Sequence, residues 1–223
     1  NVDPASYLDA ASLDAMAADI NPKKAMPWPD IAEKGDTVWL GSADQYGNAV
    51  SFIQSIYWEF GSGTVLKDSG IVWQNRGTSF SLDVSHHNAL KPRRRPFHTI
   101  QPALAHLSDG RVMPYGTMGG EGQPQTQAII FARHVLHSQS LQQAVTAPRW
   151  LLGRTWGSEA TNLRIENRIG DDVISALKTA GHDVEIVGDF DEVMGHAGAI
   201  VMHPDGLLEG ANDPRSNGQA NGF

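Results

Sequence analysis

Residues 37–57 alternate along their length, with Val38, Leu40 and Ser42 set against Trp39, Gly41 and Ala43, a break at "DQYGNA", and a second run, "VSFIQSIY". A period of two sends successive side chains to opposite faces of a strand, and the turn-forming residues of the break join the two runs into an antiparallel hairpin. Any fold for this chain is built around a sheet that accepts this hairpin. Its first residue is Thr37, directly after Asp36. A β-branched residue opening a strand needs no explanation beyond its fit to a pleated surface, so the meaning of Thr37 rests on the remainder of the chain.

Downstream, strands and helices mix without an internal repeat, which gives an α+β fold. "GIVWQN" (70–75) reads as a short strand, and "FHTIQPALAHL" and "RVMPYG" as two strands around the turn "SDGR". Apolar residues at near-helical spacing (Ile129, Ile130, Ala132, Val135, Leu136) predict a helix over 123–139, and "LQQAVTAP" a second one ended by Pro148. "NLRIE" and "DVEIV" are strands on either side of a helix, "DDVISALKTAG", closed by Gly181. "AGAIVMHPDGLLEGA" is a hairpin turning at "PDG". Residues 1–36 differ in kind, with one amphipathic helix over roughly 4–19 and then three prolines before Asp36. They read as a tail ahead of a unit formed by 37–223.

Composition narrows the chemistry. With 223 residues the chain can bury a sizeable core. A formal charge of −8 argues against nucleic acid as a partner, and the cationic "KPRRR" (91–95) reads as a solvated loop. No apolar run approaches the ~18 residues of a membrane span, so no membrane partner is expected. The start has neither a basic segment nor an apolar one of the secretory kind. That reads as cytoplasmic, with a periplasmic location as the alternative if a leader on a longer precursor has been removed. Zero cysteines exclude disulfides and thiolate catalysis. The nine histidines include "SHH" but no pair at the helical spacing of zinc ligands, so neither metal nor cofactor is expected.

Two features carry chemistry. A tail leading into a strand that starts with threonine is what a self-cleaving precursor looks like. Once Asp36–Thr37 is cut, Thr37 holds both a hydroxyl nucleophile and an α-amine, whose ordinary pKa of about 7.7–8 suits a general base near neutral pH. The second feature is "YGTMGGEGQPQTQ" (115–127), which sets Gly119 and Gly120 between a strand and a helix, where unobstructed N–H groups converge and can donate to an oxyanion. Ser55 is placed to reach the Thr37 hydroxyl across the hairpin, or is an ordinary core serine. Trp150 and Trp156 either wall a pocket or simply pack.

In order along the chain, Thr37, "DQYGNAV", "FGSG", "RP" at 95–96, Gly119-Gly120, "APR" and "GANDPRS" resemble the small subunit of the gamma-glutamyltranspeptidase family, over residues 37–223. The resemblance implies an N-terminal nucleophile αββα sandwich, made as a precursor that cuts itself before Thr37 and completed by a large subunit from the same precursor. Higher oligomers are left open.

Where the family's transpeptidases hold a glutamyl group, the matching positions here read Tyr57, Arg76 and Ser79 in "NRGTS", and His98 and Thr99 in "RPFHT". The acid that pairs with a substrate ammonium in those relatives is replaced by Ser79, and Arg76 stands three residues before it. A guanidinium repels an ammonium but binds a carboxylate through two parallel hydrogen bonds. The site therefore suits a small amide whose acyl group ends in a carboxylate and lacks an amine.

"FIQSIYWEFGSG", "WQNRG", "RPFHT", "MGGEGQPQTQ" and "PRWLLGRTWG" resemble the family's oxamate amidohydrolase branch. That resemblance implies hydrolysis of oxamate to oxalate and ammonia, in purine-nitrogen catabolism. The alternatives are a gamma-glutamyl transferase or hydrolase, a glutaryl-type cephalosporin acylase, and an inactive scaffold.

Overall fold

The computed structural model describes residues 9–18, 20–21, 23–24, 36–58, 60–155 and 160–223. The expected hairpin forms from β1 (Asp36–Ala43) and β2 (Ala49–Tyr57). Thr37, Trp39 and Gly41 stand opposite Ser55, Ile53 and Ser51 on one face, and Leu40 stands opposite Phe52 on the other. The inner face packs on a four-stranded sheet of order β3-β4-β8-β9: β3 (Ala103–His106), β4 (Val112–Thr117), β8 (Ala197–Met202) and β9 (Leu208–Asn212). On the outer face Val38, Leu40, Val50 and Phe52 keep 46–51% of their surface exposed.

Trp39 fixes the hairpin on that sheet. Its indole Nε1 donates to the Ser51 hydroxyl at 2.9 Å, and Ser51 donates to the Tyr115 carbonyl at 3.3 Å. The ring lies flat over Gly116 of β4 and Gly198 of β8, where an added Cβ would sit 2.1 and 2.4 Å from ring carbons. Only glycine lets the two sheets approach this closely.

The other face of the four-stranded sheet carries α2 (Gln123–Phe131) and α3 (Leu141–Thr146). Met113, Ile130, Leu141, Val145, Ala199 and Val201 fill the space between them, each large side chain contributing roughly 1.5–3 kcal/mol on leaving water. The layers are thus sheet, sheet and helix. β5 (Trp150–Leu152), β6 (Leu163–Glu166) and β7 (Val184–Val187) form a separate three-stranded sheet, covered by α4 (Asp171–Thr179), with Leu163, Ile165 and Ile174 as its core.

Several expectations need correction. "GIVWQN" is no strand: Ile71, Val72 and Trp73 stay exposed, and only an isolated bridge between Val65 and Val72 forms. Among the described residues those apolar side chains have no second strand to pair along and no surface to bury against. "FHTIQPALAHL" contributes only Ala103–His106, because Pro102 has no N–H for a ladder. The helix over 123–139 stops being α-helical at Phe131 and continues as one wider π turn, Ala132–Leu136. β5 was not expected. Of the tail helix, α1 (Ala10–Ala18) buries no residue, and Leu13 and Met16 are exposed; residues 1–8 and 25–35 of the tail lie outside the described residues.

Candidate active site

Five residues singled out from the sequence meet at the open end of the hairpin. The Thr37 and Ser55 hydroxyl oxygens lie 3.0 Å apart, as the pairing of these two residues across the ladder requires. Ser55 Oγ also accepts from the Tyr57 N–H at 2.9 Å and from Arg76 Nη2 at 3.0 Å. Arg76 Nη1 donates to the Thr99 hydroxyl at 3.0 Å, and the guanidinium carbon lies 4.6 Å from the centre of the Tyr57 ring. Thr37, Ser55, Tyr57, Arg76 and Thr99 thereby form one connected set.

Arg76 is 2% exposed, and no carboxylate among the described residues forms an ion pair with it. Its Nε has no hydrogen-bond partner among them. Burial draws the guanidinium below the usual arginine value, with Tyr57 and Glu121 acting the other way. Among the described residues its hydrogen-bond partners are the Ser55 and Thr99 hydroxyls, with the Tyr57 ring beside it, and a buried charge without an ion-pair partner is costly. His98 is close enough to feel it: burial, then the charge of Arg76, holds the imidazole below its ordinary pKa and favours the neutral ring. Ser79 ends the short turn Arg76–Ser79, half-buried, and makes no side-chain hydrogen bond to the set among the described residues.

Gly119 and Gly120 follow the end of β4. Trp39 packs at Gly116 and Gly198, and a Cβ on Gly41 would touch Ile200. β1 therefore runs its Thr37 end toward Thr117 and Ala197, which face each other, and so toward Gly119–Gly120. Both glycines have positive φ, 124° and 49°, a backbone that suits glycine. The Gly119 carbonyl faces away, accepting from Gly122 N–H at 2.8 Å and from the Thr155 hydroxyl.

The first turn of α2 then ties this junction to the segment carrying His98 and Thr99. Buried Gln123 accepts from the Gln101 N–H at 3.2 Å, and Gln127 donates to the Gln101 carbonyl at 2.6 Å. Sequence reasoning passed over both glutamines, although "QPQTQ" places them four apart on one helix face.

It also passed over a buried ionic network behind the site. Arg149 and Asp213 pair with neither side chain exposed. Arg215 bridges Asp213 (3.0 Å) and Glu166 (2.6 Å), and Arg149 Nη1 donates to the Met194 and Gly195 carbonyls at 2.9 and 3.1 Å. These arginines come from "APR" and "DPRS", motifs noted earlier only as family markers. Among the described residues no group of three or more histidine, aspartate or glutamate side chains is arranged to hold a metal. Trp156 lies outside the described residues, and Trp150 is 40% exposed.

Residues 1–223 match the family model described as gamma-glutamyltranspeptidase. The chain is 57% identical, over its full length, to the oxamate amidohydrolase proenzyme of Klebsiella pneumoniae subsp. pneumoniae, covering 42% of it. It is 51% identical over 89% of its length to the glutathione hydrolase-like YwrD proenzyme of Bacillus subtilis, covering 38% of that protein. The solved cephalosporin acylase of Bacillus halodurans superposes on the whole chain with a TM-score of 0.80 at 32% identity, the chain covering 40% of it. The chain thus spans about two fifths of the length of these relatives, and its sheet, sheet and helix layers form part of the expected sandwich.

Proposed function

Because the chain belongs to the gamma-glutamyltranspeptidase family, we propose that it is the nucleophile-bearing part of an amidohydrolase acting on a small amide with a carboxylate-ended acyl group, oxamate being the substrate. The observation that carries this reading is Arg76, a buried guanidinium without a carboxylate partner among the described residues, joined through Ser55 to Thr37. The identity to a protein named oxamate amidohydrolase supports the same choice. A glutamyl group would bring its ammonium toward this cation, which disfavours it.

The full-length protein is made as a precursor, with residues 1–36 ahead of the cleavage point, 37–223 as the small subunit, and a large subunit from the same precursor. After cleavage the Thr37 α-amine takes the hydroxyl proton as the oxygen attacks the amide carbonyl carbon. Ser55 Oγ accepts from the Thr37 hydroxyl as well as from the Tyr57 and Arg76 N–H groups and so orients the attacking oxygen. Gly119 and Gly120 N–H groups take the oxyanion, and one such donor is worth on the order of 3 kcal/mol. The tetrahedral intermediate expels ammonia, which leaves with the proton from the α-amine. Water then opens the oxalyl ester and frees Thr37. Arg76 and Thr99 hold the substrate carboxylate, with neutral His98 able to donate a further hydrogen bond.

The test is a mass spectrum of the purified full-length protein and of its Thr37→Ala variant. Expected are two fragments, one ending at Asp36 and one beginning at Thr37, in the parent and one uncut, inactive chain in the variant. An uncut parent, or a cut variant, overturns the proposal.

A further inference from the structure

The ladder of the hairpin slips by one residue at the peptide between Asp36 and Thr37. Thr37 stands opposite Ser55, whereas Asp36 stands opposite Tyr57, leaving Ile56 as an extra residue of β2 facing that peptide. Such a bulge interrupts the regular hydrogen bonding and bends the strand. Four contacts build it. Tyr57 holds a left-handed backbone, φ 79°, although it has a Cβ and is 6% exposed, and its N–H is turned from the ladder onto Ser55 Oγ. The Ile56 carbonyl accepts from the Asn75 N–H at 3.2 Å, while the Asn75 side chain accepts from the Trp58 N–H at 3.1 Å. Arg76 lies over the Tyr57 ring.

We propose that this bulge is a device for self-cleavage and that Tyr57 is its positioning residue, through its left-handed backbone. The inference rests on the reading of Asp36–Thr37 as the bond that is cut. Resonance keeps a peptide planar, and a regular ladder would add two hydrogen-bond partners that resist its twisting. The bulge frees it to distort, while Ser55 stays 3.0 Å from the attacking hydroxyl.

Thr37 Oγ then bonds to the Asp36 carbonyl carbon and the C–N bond breaks, the hydroxyl proton passing to the leaving nitrogen. Water hydrolyses the resulting ester to the Asp36 carboxyl group and the free Thr37 hydroxyl, so the net change is one water added across one peptide bond.

The experiment compares processing rates of the full-length precursor as parent, Tyr57→Gly and Tyr57→Val, by gel densitometry against time, with thermal unfolding of each. Glycine accepts positive φ without strain and valine resists it. Expected is a glycine variant cut within about threefold of the parent despite losing the ring, and a valine variant cut at least about tenfold more slowly with a comparable melting temperature.

Equal rates for the two variants overturn the proposal: both fast means the bulge is idle, and both slow means the ring acts rather than the backbone. If the valine variant does not fold, Tyr57→Ala replaces it, with slower cutting than glycine expected and equal cutting overturning. A parent that is not cut at Asp36–Thr37 removes the underlying reading instead, so the two failures are distinct.

Discussion

The Arg76 guanidinium stacks over the ring of Tyr57, its carbon 4.6 Å from the ring centre, while its two terminal nitrogens reach the hydroxyls of Ser55 and Thr99. One side chain thus links Ser55, which touches Thr37, to the segment proposed to bind substrate.

From that relationship follows the behaviour of Arg76→Gln. Loss of charge-assisted bonds to a substrate carboxylate in a desolvated site costs roughly 2–5 kcal/mol, or about 30- to 4000-fold in kcat/KM at ~1.4 kcal/mol per decade. Steady-state kinetics per titrated active site separates this from misfolding. Unchanged kcat/KM for oxamate in the variant shows that Arg76 only braces Ser55 and Tyr57.

Gly120 has φ 49° at the strand-to-helix junction, and its N–H is one of two assigned to the oxyanion. Gly120→Val places a β-branched residue where positive φ is strained and displaces that N–H. Turnover is expected to fall on the order of 100-fold or more, with a much smaller loss of thermal stability. Turnover within a factor of a few of the parent moves the oxyanion site elsewhere.

How much of this was legible from the chain follows from which forces are local. The period of two in β1 and β2, the "PDG" turn between β8 and β9, and Gly181 at the end of α4, with φ 96°, are local signals, and each element forms where its residues prescribe. Ser55 was readable because hairpin register sets it against Thr37, whereas Tyr57, Arg76 and Thr99 came from the resemblance to the family.

What was not readable joins residues far apart in the chain. Nothing next to Arg149 in sequence announces Asp213, and the left-handed backbone of Tyr57 carries no compositional mark, since tyrosine is an ordinary strand residue. Apolar "GIVWQN" misled for the converse reason: apolarity indicates burial only where a partner surface exists, and here Ile71 and Trp73 stay exposed.

The buried network is expected to contribute to acid stability. Burial alone would raise the Glu166 carboxyl, but the hydrogen bond and charge of Arg215, the Arg149 N–H and Arg168 outweigh it and hold the group below its ordinary value of 4.5. A depressed folded pKa means the folded state binds fewer protons than the unfolded one. The stability this supplies is therefore complete above about pH 4.5 and lost as pH falls through the folded value. Melting temperature against pH is expected to drop below that point. Glu166→Gln, which leaves Arg215 short of a buried counter-charge, is expected to melt on the order of 10 °C lower at neutral pH, with a shallower acid slope. Identical acid slopes in parent and variant contradict this.

The central claim is that Arg76 makes this a site for amine-free carboxylate amides, and substrate preference tests it most directly. The measurement is kcat/KM per active site of the processed full-length enzyme for oxamate and for a gamma-glutamyl anilide. The account predicts that oxamate is preferred by at least about tenfold, corresponding to ~1.4 kcal/mol of transition-state discrimination. Preference for the glutamyl anilide contradicts the account.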